Sequence, residues 1–266
     1  MKVLTVGIGG KGTEFATKMV REGWDAISVG TGGEKYDEEI LAEELKGNDA
    51  IIIVCGIGGD TSALLTPRVA KLAKEMRILT IGVVIKPFSF EEPKRLKNAS
   101  ECSKQLTEYM DTVFFVSGDH YVAELSRSQS PVEAYENRDL AVIQVIRRIN
   151  EMVMEIGIIS VSWDEFKEYF RNKGTGYFGI GIGHGSGMIE KAANMSLDTM
   201  VHRPDLSDKD RLLVSICGDI SLSDVSKARS LINERVGGDR SNDLLNAVYD
   251  DSEPGCCMVM VIAIGE

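Results

Sequence analysis

The sequence has no apolar run that approaches the roughly 18 residues a membrane-spanning helix needs. Its first residues, MKVLTVGIGG, enter a strand pattern directly, without the regions of a signal peptide. Basic residues are also few: 30 Lys and Arg stand against 41 Asp and Glu, and the net charge of -11 disfavours binding to nucleic acid or anionic lipid. We therefore expect a cytoplasmic protein with no nucleic-acid partner and no direct membrane insertion.

Cysteine and histidine are scarce and poorly spaced for metal binding. The five cysteines form no C-x-x-C pair, and the three histidines lack ligand spacing. Most of the cysteines fall in apolar, strand-like runs, where a buried free thiol is the usual interpretation. The sequence therefore predicts no metal site, and it predicts packing roles for the adjacent Cys256 and Cys257.

Apolar residues are plentiful, at 43% of the chain, which is enough for a substantial core. In the first half, continuously apolar strand runs alternate with helix-period segments, a pattern typical of a doubly wound α/β domain with a mostly parallel sheet. A long helical pattern follows, and a second, smaller α/β domain with a mixed sheet comes after it. The predicted boundaries are 1–136 for the first domain, 137–157 for the central helix and 158–266 for the second domain.

Two glycine turns join a strand to a helix, a geometry that presents free backbone amides to an anion. The first turn, GIGGKG, fits G-x-G-x-x-G and alone suggests an NAD-dependent oxidoreductase, but the next strand, AISVG, ends in Gly30 where that fold needs an acid. The second turn begins at Cys55 and places an acid, Asp60, within it. A third glycine-rich stretch, GIGIGHGSG, is expected to reflect close packing.

The second turn and the segment after it, CGIGGDTSALLTPRVAKLAKEMRILTIGVVIKPFSFEEPKRL, resemble the FtsZ/tubulin superfamily. The resemblance continues through VGIGGKG, NRDLAVIQVIRRINEMV, GIISVSWDEF and GYFGIGIGHGSGMIEKAANMSL, and so covers nearly the whole chain. It implies a GTP-binding domain, a central helix and a C-terminal domain that carries a catalytic loop. The chain stops at VIAIGE, and we expect a divergent FtsZ-like protein that lacks the C-terminal tail.

The resemblance also implies which residues hold GTP or GDP, and it leaves open whether magnesium takes part. They come from the two glycine loops, from a helix that reaches the ribose and phosphates, and from a segment that stacks on the guanine and reads its edge. These residues are Gly7, Gly9, Gly10, Lys11, Gly12, Gly58, Gly59, Asp60, Thr61, Ser62, Glu91, Arg95, Tyr135 and Asp139. Gly118 stands where FtsZ has an asparagine for the sugar, and the segment after AISVG is short by a phosphate loop.

Asp60 raises an electrostatic problem for such a site. A carboxylate about 4 Å from a phosphate charge costs about 4 kcal/mol at an effective dielectric of about 20. Lys11 occupies a glycine or alanine position of the family in the facing loop, and we hypothesise a Lys11–Asp60 pair that cancels much of this cost. The alternative is that both side chains are solvated loop charges.

The catalytic loop implied by the resemblance reads GIISVSWDE from Gly157. In this family a neighbouring subunit supplies the acids that orient the attacking water. Ser160 and Ser162 replace the asparagine and the first acid, while Glu165, with Asp164 beside it, keeps a carboxylate. A hydroxyl is a poor base at neutral pH, so the resemblance predicts a weak GTPase that self-assembles head to tail. Ser162 is also a good N-cap for the following helix.

Two alternatives stay open at this point. A non-catalytic structural or regulatory FtsZ homologue with a degenerate site is favoured by Asp60, by the missing phosphate loop and by the two serines. An NAD-dependent oxidoreductase rests on the first glycine turn alone. In addition to further copies of this chain, the resemblance leaves other FtsZ-family proteins open as partners.

Overall fold

The computed structural model describes residues 1–30, 37–120, 131–154, 156–200, 206, 211–237 and 243–264. The chain divides into two compact units. The first comprises Met1–Arg147 with Phe170–Thr175, and the second comprises Arg148–Tyr169 with Gly176–Glu266.

Nine strands and eight helices have both ends within the described residues. The strands are β1 Val3–Ile8, β2 Ala26–Val29, β3 Ala50–Gly56, β4 Leu79–Lys86, β5 Thr112–Ser117, β6 Gly174–His184, β7 Arg211–Gly218, β8 Leu244–Tyr249 and β9 Cys256–Ile264. The helices are α1 Gly9–Arg21, α2 Glu38–Leu45, α3 Asp60–Glu75, α4 Pro93–Tyr109, α5 Pro131–Met154, α6 Trp163–Phe170, α7 Met188–Asp198 and α8 Leu222–Val236. None of these helices is both long and apolar enough to cross a membrane.

The first unit contains a parallel sheet with the strand order β2-β1-β3-β4-β5. The central strands are buried on both faces, which explains why β3 reads AIIIVCG with no polar alternation. The strand order reverses between β1 and β3, and in such sheets the crevice beyond the carboxyl ends of the strands at that point is where ligands bind. The predicted doubly wound α/β fold is therefore confirmed. Its topology indicates that a ligand site would lie at the carboxyl ends of β1 and β3.

Helix α3 shows how the sequence covers this sheet. Leu65, Val69 and Ala73 recur every four residues and lie on one face of the helix, where they enter the core of the unit. Burying a Leu or Val side chain contributes about 1.5–3 kcal/mol to stability. The apolar face thus fixes the orientation of α3 and so the position of the glycine turn that precedes it.

Two helices begin earlier than the sequence pattern predicts. Helix α1 starts at Gly9, within the glycine loop, whereas its apolar period becomes visible only near Thr13. Helix α5 starts at Pro131, before the predicted start at Asn137, and ends at Met154. Proline favours the first turn of a helix because it has no N–H to leave unpaired. The chain passes from the first unit to the second within α5.

The second unit contains a mixed sheet, as the sequence predicts, and its strand order is β6-β9-β7-β8. Strand β9 is antiparallel to both β6 and β7, whereas β7 and β8 are parallel. Residues of α7 and α8, including Ala192 and Ala228, form a core with alternate residues of β9 and β7.

The glycines of β6 allow α7 to lie directly against the sheet. A Cβ atom added at Gly179, Gly181 or Gly183 would collide with backbone carbonyl oxygens of that helix, those of Ser196, Ala192 and Met188 respectively. Strand residues two apart share one face. The packing interpretation is therefore confirmed for Gly179, Gly181 and Gly183.

We expect Gly181→Ala to destabilise the protein by about 1–3 kcal/mol, the usual cost of overpacking a close contact. The reason is that the new methyl group meets helix backbone, which cannot rotate away as a side chain can. Urea unfolding followed by circular dichroism measures the change. Ile182→Val, on the opposite and partly exposed face of β6, is the matched control and should change stability by less than about 0.5 kcal/mol. Equal unfolding midpoints for the two variants would contradict this account.

Candidate functional site

The two glycine turns of the first unit lie side by side at the ends of β1 and β3. A Cβ at Gly12 would come 2.5 Å from the backbone oxygen of Val54 and 2.8 Å from the backbone carbon of Gly7. Gly9 has φ +70°, a left-handed conformation that favours glycine, and it lies against Ser62 of the second turn. Glycine at these positions therefore permits strand, helix and neighbouring turn to approach one another closely.

Two helices start from these turns, and neither has a side-chain cap. The residues that precede them, Ile8 for α1 and Gly59 for α3, accept no hydrogen bond through a side chain. The amides of a first helical turn have no partner within the helix and carry the positive end of its dipole. The hydroxyl of Ser62 donates to the carbonyl oxygen of Gly56 and lies 3.3 Å from that of Gly59, which holds the second turn in shape.

A cleft of about 450 Å³ opens in front of both turns. Four of its lining residues are cationic and one is acidic, although the chain as a whole carries a net charge of -11. The lining residues are Gly10, Lys11, Gly56, Gly58, Gly59, Ser62, Ile85, Lys86, Pro87, Glu91, Arg95, Tyr135 and Arg138. This local excess of positive charge, together with the helix N-termini, makes the cleft suited to an anion.

Arg95 is fixed against the second glycine turn. Its Nε lies 2.5 Å from Oε2 of Glu91, and the other oxygen of Glu91 accepts a hydrogen bond of 2.8 Å from the backbone N–H of Phe88. A Cβ at Gly58 would lie 3.2 Å from Nε of Arg95. Glu91 thus positions the guanidinium beside the turn.

Lys11 and Asp139 form an ion pair on the other side of the cleft. Nζ of Lys11 lies 2.6 Å from Asp139 and 2.8 Å from Glu14. Burial alone would lower the pKa of Lys11, but the hydrogen bonds to Asp139 and Glu14 outweigh this effect and raise it. Asp139 also accepts a hydrogen bond of 2.7 Å from Arg138.

The hypothesised Lys11–Asp60 pair is wrong. Asp60 lies 2.6 Å from Nζ of Lys94 and 2.8 Å from Nδ2 of Asn98, and these hydrogen bonds lower its pKa. It is the first residue of α3, and there its side chain turns away from the cleft towards α4. It lines a separate groove of about 360 Å³ between these helices. The expected repulsion between Asp60 and a ligand in the cleft is therefore removed by side-chain direction, without any help from Lys11.

An aromatic corner closes one end of the cleft. The rings of Tyr135 and Phe88 have centroids 4.7 Å apart, and the guanidinium of Arg138 lies 5.0 Å from the Tyr135 ring. Phe88 packs so closely on Gly118 that a Cβ there would collide with three atoms of the ring. An asparagine side chain at position 118 would therefore not fit beside the Phe88 ring in its present position.

Lys86, at the end of β4, was not singled out by sequence reasoning. It is half-buried, and burial lowers its pKa. Its Nζ lies 4.3 Å from the centre of the Phe115 ring, and it makes no ion pair with any residue in the described ranges. An ammonium group in such a place lacks a compensating anion. Only its position directly before Pro87, where an apolar strand ends, could have drawn attention to it.

The predicted nucleotide-binding residues divide into two groups. Gly10, Lys11, Gly58, Gly59, Ser62, Glu91, Arg95 and Tyr135 line the cleft. Gly7, Gly9, Gly12, Asp60, Thr61 and Asp139 do not line it. The glycines of the second group shape the turns, Asp139 holds Lys11, and the exposed Thr61 lies beside Gly30.

The predicted catalytic loop, residues 157–165, belongs to the second unit and is held against β8. Ile159 and Ala247 exchange two backbone hydrogen bonds, of 3.1 and 2.8 Å. The side-chain oxygen of Ser160 accepts a hydrogen bond of 3.0 Å from the N–H of Gly157. The backbone of this loop is therefore fixed by its own contacts.

Ser162 and Glu165 cap helix α6 reciprocally. Oε2 of Glu165 accepts hydrogen bonds from the hydroxyl (2.5 Å) and the N–H (2.9 Å) of Ser162, and these bonds lower the pKa of Glu165. Its other oxygen accepts no hydrogen bond from the described residues. Asp164 is 88% exposed and lies 2.9 Å from Nζ of Lys167. The N-cap role of Ser162 is confirmed, while a catalytic role for Glu165 or Asp164 stays a prediction.

Comparison with known proteins gives one partial sequence match and several full-length structural matches. A family model described as Tubulin/FtsZ family, GTPase domain, matches residues 27–123. The structure of an empty FtsZ dimer from M. jannaschii is similar over 99% of this chain and 88% of its own, with a TM-score of 0.87 and 23% identity. CetZ2 from Haloferax volcanii, solved as a protofilament with GTPγS bound, matches 100% of this chain and 93% of its own, with a TM-score of 0.69 and 21% identity.

CetZ from Methanosaeta thermophila is also similar, with a TM-score of 0.77 and 16% identity over 100% of this chain and 87% of its own. At these identities the structural matches establish the fold. The sequence match lies within the unit that contains the cleft, where residues 27–123 match the GTPase domain of the Tubulin/FtsZ family. The chain as a whole has the fold of FtsZ and CetZ.

Proposed function

We propose that the cleft of the first unit binds a guanine nucleotide, GTP or GDP, with its phosphates on the N-termini of α1 and α3. The observation that carries this proposal is that two uncapped helix N-termini and four cationic side chains face one cleft in an acidic chain. The space beside Gly10 is open, because a Cβ added there would meet no atom within 4 Å. A phosphate could therefore approach the backbone at this point. Lys11, Lys86 and Arg95 would supply positive charge around it.

The same cleft offers a place for a base. Tyr135 is 42% exposed and lines the cleft, and a purine ring stacks well on such a partly exposed aromatic surface. Asp139 would read the base edge only if it released Lys11 or Arg138, because both now bind its carboxylate. We therefore assign base stacking to Tyr135 and the organisation of the cations to Asp139.

We further propose head-to-tail self-assembly with slow GTP hydrolysis that a neighbouring copy completes. Contact between unlike faces does not close on itself and so generates filaments. The structures that this chain resembles include a protofilament of CetZ2. Slow hydrolysis follows from Glu165, because a lowered pKa makes a carboxylate a weaker base while a free oxygen can still orient water.

The rival function is a non-catalytic homologue that assembles without nucleotide. Ser160 and Ser162 favour it, since both side chains are engaged by the backbone of their own loop. Light scattering with GTP, with GDP and without nucleotide separates the two functions. Assembly that is indifferent to nucleotide would support the rival and contradict our proposal.

We expect Lys86→Met to weaken GTP binding by about tenfold, or about 1.4 kcal/mol. The variant removes a half-buried cation while keeping most of the side-chain volume. Titration of the protein with a fluorescent GTP analogue, with and without magnesium, measures the affinity; ATP and reduced NAD test the choice of base and of cofactor class. The control is Lys71→Met, which removes an exposed lysine of α3 that lies 3.9 Å from Glu75. Equal losses in both variants would mean that only overall charge matters.

We expect Asp60→Asn to change GTP affinity by less than about tenfold. Its carboxylate faces Lys94 and Asn98 and does not line the cleft, so removing its charge relieves no close repulsion. The same titration measures this. A gain of about a thousandfold, the value that about 4 kcal/mol of direct repulsion implies, would place Asp60 against the phosphates.

We expect both Glu165→Ala and Glu165→Gln to reduce the GTPase rate by about 100-fold at equal protein concentration. Glutamine keeps the capping arrangement with Ser162 but removes the negative charge, so it separates catalysis from helix capping. Phosphate release gives the rate, and melting temperature and GTP affinity are the controls. A rate lost in the alanine variant alone would assign Glu165 a structural role.

A further inference from the structure

A histidine, a glutamate and a cysteine of the second unit come together where β6 ends and β9 begins. Nδ1 of His184 lies 3.6 Å from Oε1 of Glu253. The potential ligand atoms of His184, Glu253 and Cys256 all lie within 4.8 Å of one another. An imidazole nitrogen, a carboxylate oxygen and a cysteine sulfur are the three kinds of ligand that proteins use for zinc.

The pairing of two strands brings these residues together. His184 ends β6, Cys256 begins β9, and the antiparallel register places them directly opposite each other. Directly opposed side chains have Cβ atoms about 4.5–5.5 Å apart. Glu253 lies in the turn that leads into β9. His184 is therefore far from Glu253 and Cys256 in sequence, which is why residue spacing gives no indication of the three-residue cluster.

The backbone around the three side chains is already ordered by hydrogen bonds. The N–H of Gly185 donates to the carbonyl of Gly255 at 2.8 Å, and the N–H of Gly255 donates to Oδ2 of Asp219 at 2.9 Å. The N–H of Cys256 donates to the carbonyl of Glu253 at 3.2 Å. Binding at this place would therefore require little further ordering of the chain.

We propose that His184, Glu253 and Cys256 bind a divalent transition-metal cation of the zinc type. Thiolate and imidazole ligands favour borderline-soft metals, whereas magnesium and calcium prefer sites built from oxygen. Three protein ligands leave a fourth tetrahedral position for water. On binding, the Cys256 thiol loses its proton to solvent as the sulfur–metal bond forms. His184 and Glu253 are exposed, so an ion can enter from solvent.

Cobalt(II) titration of the reduced full-length protein tests this site, because cobalt replaces zinc and reports its ligands spectroscopically. We expect a near-ultraviolet charge-transfer band from a cobalt–thiolate bond, saturating at one ion per chain and lost on addition of zinc. Cys256→Ser should abolish the band. His184→Ala and Glu253→Gln should each weaken cobalt binding by about tenfold or more.

The matched control is Asp251→Asn, which removes a neighbouring exposed acid and should leave cobalt affinity unchanged. Circular dichroism of each variant shows that it is folded before titration, and the parent should melt at a higher temperature with zinc than without it. Absence of the band in the parent protein, or its persistence in Cys256→Ser, would overturn the proposal. An equal loss of cobalt affinity in Asp251→Asn and Glu253→Gln would also overturn the proposal. It would mean that cobalt binding depends only on the general negative charge of this surface.

Discussion

The close approach of the two glycine turns is the constraint on which the candidate site depends. Gly12 lies so near Val54 and Gly7 that a single added carbon atom would force strand and helix apart. Because nothing separates them, α1 and α3 begin at the same crevice and direct their unpaired amides into it. The positive ends of two helix dipoles therefore face the same cleft. Either helix alone would offer only a weak anion site.

The charges of the cleft follow from this geometry. Lys11 and Arg95 are held by acids of the same unit, Asp139 and Glu91, which keep the cations in place at little cost when no ligand is bound. Lys86 is different, because its only close partner among the described contacts is an aromatic ring. A half-buried cation without a carboxylate is costly to maintain, and a bound phosphate would relieve that cost. Lys86 therefore connects the burial of β4 with the function proposed for the cleft.

The sequence predicted the elements of this fold well, because apolar strands and helix-period segments alternate clearly along it. It also identified most of the residues that line the cleft, since glycine turns after parallel strands converge at one edge of a sheet. It failed where the answer depended on the direction of a side chain. Asp60 begins α3, and only the position of α4 decides that it meets Lys94 and Asn98. Likewise, His184 and Cys256 meet only through the register of β6 and β9.

In the loop from Gly157, one carboxylate has a structural role and also the catalytic role that we propose for it. Both hydrogen bonds from Ser162 fall on Oε2 of Glu165, so capping engages one oxygen and leaves the other towards solvent. The bonds that lower the pKa of this carboxylate keep it charged at neutral pH but also make it a poorer proton acceptor. Such a group is suited to holding a water molecule in place and poorly suited to removing its proton. The loop is therefore consistent with the slow hydrolysis proposed above, in which Ser162 would hold the carboxylate of Glu165 in position.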